Sequence, residues 1–213
     1  MSKNRSSAVM QQRGLPRQSL DDFPTPPWAT RALCEHLLGS GSILHNKTVR
    51  EPAANRGYMA RALGEYFGSV IGSDIHDYGA GYPIRDYALP LDTDWPETDW
   101  TITNPPFTLA EHFIEKALRL STFGAAVILR SAILEGVGRY ERLFKVNPPS
   151  EVLQFVERVP MVQGKLDPDA SSATAYVWLI WRDCRPDTRL HWIAPCRKRL
   201  ERADDYEPQR FAA

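Results

Sequence analysis

The run Ala125-Ala126-Val127-Ile128-Leu129 constrains this chain more than any other stretch, because five consecutive apolar residues leave no face for water. A strand of that kind is buried on both sides, as a central strand is in a parallel sheet covered by helices. Parallel neighbours need crossover connections, so the remaining sequence must supply helices between strands. It does. Periodicity predicts a helix over 29–38, with Leu33, Leu37 and Leu38 on one face and Gly39-Ser40-Gly41-Ser42 stopping it. A strand at Thr48–Glu51 runs through a tight turn into a helix ending near Tyr66, and Val70-Ile71-Gly72-Ser73-Asp74 reads as a strand ending in a carboxylate. After an acidic loop comes a strand over 100–103, then an amphipathic helix over 109–120. That helix has Phe113, Ala117 and Leu120 inward and Glu111, Glu115, Lys116 and Arg119 outward. Beyond the central run, a helical segment over 139–145 precedes strands over 151–159 and 173–182, joined by a polar loop over 163–172. The predicted fold class is α/β, a doubly wound, mostly parallel sheet of about seven strands.

The chain has 213 residues, enough for one sizeable core, and one domain over 21–190 is expected. Lys+Arg 26 balances Asp+Glu 26, which excludes a histone-like binder and leaves nucleic-acid contact to local patches. One such patch is the basic excess Arg182, Arg185, Arg189, Arg197, Lys198, Arg199 and Arg202, most of it in a basic C-terminal tail expected over 191–213. Residues 1–20 are Ser/Gln/Arg-rich without an apolar signal core, predicting a disordered basic tail. No apolar run reaches the ~18 residues of a membrane span. Cys34, Cys184 and Cys196 lack Cys-x-x-Cys spacing and are expected as thiols in a reducing, cytoplasmic setting. The five histidines do not pair at metal-ligand spacing, so no metal is expected.

The chemistry concentrates in Thr101-Ile102-Thr103-Asn104-Pro105-Pro106-Phe107. Two prolines end a strand in a stiff corner, because proline lacks an N–H and forces its predecessor into extended geometry. Asn104 adds a side-chain oxygen beside the Pro105 carbonyl, and Phe107 adds a flat ring. Two acceptors and a ring held at a strand end suit a planar group bearing an NH2. A strand followed by a Pro-Pro loop with a buried Phe is the plainer alternative.

Asn104-Pro105-Pro106-Phe107 resembles the catalytic motif of S-adenosylmethionine (SAM)-dependent amino-methyltransferases, which methylate exocyclic amino groups of adenine or cytosine. The resemblance implies that Asn104 and the prolines hold the target amine and that Phe107 stacks on its base. It continues in order along the chain. Phe23-Pro24-Thr25-Pro26 is similar to the N-terminal cofactor motif of the gamma class, with Thr25 beside SAM. Glu51-Pro52-Ala53-Ala54-Asn55-Arg56-Gly57 resembles the Asp/Glu-Pro-x-x-Gly-x-Gly motif. There Glu51, Ala53, Asn55 and Gly57 would line the cofactor, although Asn55 stands where the first glycine is usual. Asp74 follows the turn at the spacing of a ribose-binding acid, about 20 residues on. Asp86-Tyr87 resembles the motif that faces the cofactor's adenine. The late strand would place Tyr176 near the target base, and the family's sheet closes with an antiparallel hairpin.

The combined expectation is a gamma-class enzyme of DNA adenine, phage or prophage type, bacterial or phage-encoded, using SAM. DNA is favoured over RNA, and a partner protein or dimer mate is the expected aid to target recognition. Three alternatives stay open: an RNA adenine enzyme, a protein-glutamine enzyme of the same fold, and a catalytically silent SAM- or nucleic-acid-binding protein.

Overall fold

The computed structural model describes residues 21–90, 95–182 and 187–207. The tail expected over 1–20 therefore lies outside the described residues. The strands are β1 (Thr48–Glu51), β2 (Ser69–Gly72), β3 (Thr98–Thr103), β4 (Ser121–Arg130), β5 (Glu151–Phe155), β6 (Tyr176–Arg182) and β7 (Arg189–Ile193). They form one seven-stranded sheet in the order β2-β1-β3-β4-β6-β5-β7. The β1, β2, β3 and β4 pairings are parallel. β6 runs antiparallel to both β4 and β5, and β7 lies parallel to β5 at the edge. The α/β sheet is thus mostly parallel, as the sequence pattern predicts, with one antiparallel strand, as the resemblance implies.

The apolar run in β4 has both faces covered. Ala126 and Ile128 join a cluster with Trp28, Leu33 and Leu37, while Val127 and Leu129 join a second with Ala110 and Ile114. Helices α1 (Pro27–Gly39) and α2 (Tyr58–Gly64) occupy the first face and α3 (Ala110–Leu120) the second. α1 begins with Pro27 in its first turn, where the missing N–H costs nothing. Trp178, fully buried in β6, donates its indole N–H to the Ala29 carbonyl at 3.0 Å and so ties α1 to the sheet. Gly124 is required where it stands, since a Cβ there would lie 2.6 Å from the Trp181 carbonyl oxygen.

Two sequence expectations change. Lys116, expected to point outward, is 0% exposed. Its ammonium donates to the Leu89 carbonyl at 2.7 Å and sits over the rings of Tyr87 and Trp95. Helical periodicity cannot register chain that folds across a helix flank, as Tyr87, Leu89 and Trp95 do here. The stretch expected as a basic tail also carries structure. It contributes most of β7 and a helical turn at Arg197–Leu200 whose Cys196 and Leu200 enter the main core. Arg31, buried in α1, donates to Asp205 Oδ1 and Oδ2 at 2.7 and 2.8 Å and to the Leu200 carbonyl at 2.7 Å. Arg182, Arg197, Arg199 and Arg202 pair with Glu151, Glu201, Glu35 and Glu65. Arg185 and Cys184 lie outside the described residues; Cys34 and Cys196 are buried free thiols.

Candidate active site

β1 is flanked by β2 on one side and β3 on the other, so the chain reverses its progress across the sheet between β1 and β3. Loops leaving the two strands diverge there and open a crevice beyond their carboxyl ends. That crevice is the cleft of the candidate site. Thr25, Glu51, Ala53, Asn55, Asp74, Asp86, Tyr87, Asn104 and Pro106 all line it. These residues arrive from five separate segments.

Glu51 ends β1 and is 1% exposed. Its Oε1 accepts from the Thr103 hydroxyl at 2.6 Å and the Ala53 N–H at 3.1 Å, while Oε2 is buried without a partner. Burial pushes its carboxyl up to about 8, reinforced by the charge of Asp74 and opposed by those two hydrogen bonds. Asp74 is raised by burial as well. Its carboxylate accepts from the N–H of Asn55 at 2.8 Å and of His76 at 3.0 Å. The intervening turn needs Asn55 at φ +51° and Gly57 at φ +81°. Asparagine tolerates that left-handed conformation better than most residues. Asp74 also pairs through its backbone with Pro83 and Arg85, which brings Asp86 to the cleft. The Thr25 hydroxyl is a further buried polar atom with no partner.

The Asn104 amide is oriented by its neighbours. Its NH2 donates to the Phe23 carbonyl at 2.8 Å and approaches the Met161 sulfur at 3.8 Å, which leaves Oδ1 buried without a donor. Among the described residues nothing donates to the Pro105 carbonyl, whereas the Pro106 carbonyl accepts from the Leu109 N–H. Two neighbouring acceptors at this corner, Asn104 Oδ1 and the Pro105 carbonyl, are thus without a donor among the described residues. Phe107 lies 6.2 Å from Phe23, and its N–H donates to Asp21 at 2.7 Å. Residues 21–25 thus run as a strap across Asn104–Phe107.

Four expected site residues do not line the cleft: Gly57, Pro105, Phe107 and Tyr176. Gly57 is buried and shapes the turn, Pro105 is buried, and Phe107 lines a neighbouring groove with Leu109 and Ile133. Tyr176 is 2% exposed and belongs to the main core, opposite Arg130 in the ladder. Sequence reasoning missed Asp21, Asp22, Tyr78 and Arg130, which carry no motif and reach the site only through folding. It also missed a convergence of His36, Glu151 and His191, whose ligand atoms lie within 4.8 Å of one another at the opposite end of the sheet. There Glu151 already pairs with Arg182 and His36.

No protein-family model and no curated protein sequence matches this chain. Its fold is that of the class I SAM-dependent methyltransferases. It resembles a candidate enzyme of that class from Listeria monocytogenes with TM-score 0.61 and 12% identity, over 86% of this chain and 68% of that one. It is similar to a candidate RNA methyltransferase from Pyrococcus horikoshii with TM-score 0.57 and 17% identity, over 82% and 96%. The modification subunit of a candidate type I restriction enzyme from Vibrio vulnificus gives TM-score 0.56 and 16% identity, over 95% of this chain and 53% of that one. Among the described residues no helix is long and apolar enough to cross a membrane.

Proposed function

We propose that this chain binds SAM in the cleft and transfers its methyl group to an exocyclic amino nitrogen, adenine N6 in DNA. The observation that carries the reading is the Asn104 amide, whose NH2 is pinned while its buried oxygen has no donor. A buried acceptor without a donor costs free energy unless a ligand supplies one. The orphaned Glu51 Oε2 and Thr25 hydroxyl in the same cleft fit the cationic, hydrogen-bonding cofactor. Glu51 would face its ammonium, Asp74 its ribose hydroxyls, and Asp86 with Tyr87 its adenine.

Bound there, SAM supplies an electrophilic methyl group on sulfur. Asn104 Oδ1 and the Pro105 carbonyl would each accept one hydrogen of the target NH2. That arrangement favours the pyramidal nitrogen whose lone pair can attack, and it is built before the reaction starts. The N–C bond forms as the S–C bond breaks, and the proton leaves afterwards, when methylation has made the nitrogen acidic. No general base is needed before attack. The Asn-Pro-Pro form favours adenine, since cytosine enzymes usually begin the motif with Ser. The neighbour from Vibrio vulnificus supports DNA and the one from Pyrococcus horikoshii supports RNA.

The target context is short or relaxed on this reading, unless a partner protein or dimer mate helps. The loop over 163–172 offers little chain for reading base edges, and most described cations of the C-terminal segment are already paired. The deciding experiment is incubation with methyl-labelled SAM and separate DNA, RNA and protein substrates, followed by identification of the labelled product. N6-methyladenine in DNA is expected. Label confined to RNA or to glutamine would move the substrate, and no label anywhere despite SAM binding would overturn the enzyme reading.

A further inference from the structure

We infer that Arg130 is a substrate-positioning residue whose guanidinium holds a phosphate beside the target base. The substrate would then be a nucleic acid rather than a side-chain amide, an inference that rests on the reading of the site just given. Arg130 is the last residue of β4, which pairs with β3 immediately before Asn104. Its guanidinium carbon lies over the Phe107 ring, 4.4 Å from the centroid, and 5.8 Å from that of Phe23. In the sheet it stands opposite Tyr176 of β6. Its Nε is buried without a partner.

The charge around Arg130 is unusual for this molecule. Arg56 meets Asp22, Arg139 and Arg142 meet Glu111, and Arg182 meets Glu151. Among the described residues no carboxylate forms an ion pair with Arg130. Asp21 stands nearby, but it accepts from the Phe107 N–H instead. A half-buried guanidinium has lost part of its hydration, and ring faces repay only some of that loss. Its fork geometry fits phosphate in two parallel hydrogen bonds. A base stacked near Phe107 brings its own phosphates along the strand, whereas a glutamine side chain brings no anion. The stacked guanidinium also covers the Phe107 face in the absence of substrate, so it would yield that face as the base arrives.

The test uses the full chain carrying Arg130→Met, which keeps the apolar stem, and Arg130→Lys, which keeps the charge. Calorimetry should show SAM affinity unchanged in both. Fluorescence anisotropy should show the Met variant binding a labelled, adenine-containing single-stranded oligodeoxynucleotide about 10-fold more weakly at 0.1 M salt, with Lys recovering most of the loss. The slope of log affinity on log salt should fall in the Met variant by about 0.7, one phosphate on a single strand. KM should follow affinity while kcat changes less. A folded, SAM-binding Met variant with unchanged affinity and slope, or with a loss equal at every salt, would overturn the phosphate role. If the unaltered protein binds SAM but labels no nucleic acid, the reading of the site fails first and this inference with it.

Discussion

Asn55 Nδ2 donates to Asp22 Oδ1 at 2.7 Å, joining the turn after β1 to the strap that crosses the cleft. The Asn55 Oδ1 accepts from the N–H and the guanidinium of Arg56, and Arg56 in turn pairs with Asp22. The strap continues to Phe23, whose carbonyl receives the Asn104 amide, and the Asp22 carbonyl receives the Gly164 N–H. Asn55 therefore links the turn after β1, through the strap, to the corner at Asn104.

Replacing Asn55 with glycine should leave the fold intact, because φ +51° is easy for glycine. It should nonetheless weaken SAM binding roughly 2- to 10-fold, the value of a hydrogen bond worth about 0.5–1.5 kcal/mol. Asn55→Leu should lose the same bond and add about 1–2 kcal/mol of left-handed strain. Calorimetry and thermal melts on both variants separate the two effects. Unchanged SAM affinity in Asn55→Gly would detach the strap from cofactor binding.

Glu51 should make both stability and SAM binding depend on pH. Its folded carboxyl is raised to about 8 from an ordinary 4.5, so the folded chain keeps a proton that the unfolded chain releases. The resulting stability is full below about 4.5 and is lost as pH rises through about 8. The ligand-free melting temperature should accordingly fall across that window, and less so in Glu51→Gln. An ammonium facing Glu51 favours the ionised carboxylate, so SAM binding near pH 7 should release a proton. Calorimetric enthalpies that vary with the buffer's ionisation enthalpy would show it, and Glu51→Gln should abolish the variation.

Asn104→Ala should lower methyl transfer by ~100-fold or more, the usual cost of removing a preorganised stabilising group. SAM affinity should change little by comparison. Asn104→Asp keeps an oxygen but loses the donor to Phe23, so it distinguishes acceptor loss from loosening of the strap. Near-normal turnover in Asn104→Ala would remove this residue from the mechanism.

Arg31→Met should destabilise the protein by about 3–5 kcal/mol, because it leaves Asp205, only 1% exposed, as a buried charge without its partner. Arg31→Met combined with Asp205→Leu should recover much of that loss. Chemical denaturation of the two proteins measures the coupling. A negligible single-variant effect would mean that the C-terminal segment is not docked on α1.

The sequence by itself determined the layered α/β class and the strand-end positions of Glu51, Asp74 and Asn104. These are local properties: apolar runs, punctuation by proline and glycine, and spacing along one chain. Tertiary structure decided what the chain's charges do. Lys116 looks solvated by helical period and is buried beneath a distant loop. Arg189-Leu190-His191-Trp192-Ile193 reads as a charged tail, yet it forms the edge strand β7 with only one face covered. Asp22 meets Asn55, and Arg31 meets Asp205, across separations that no periodicity encodes. Arg130 sits over Phe107 only because β4 lies beside β3 in the finished sheet. A charged side chain has no preferred partner in the unfolded chain; burial removes its water, and the carboxylate, carbonyl or ring that replaces it is chosen by whichever segments the sheet brings together.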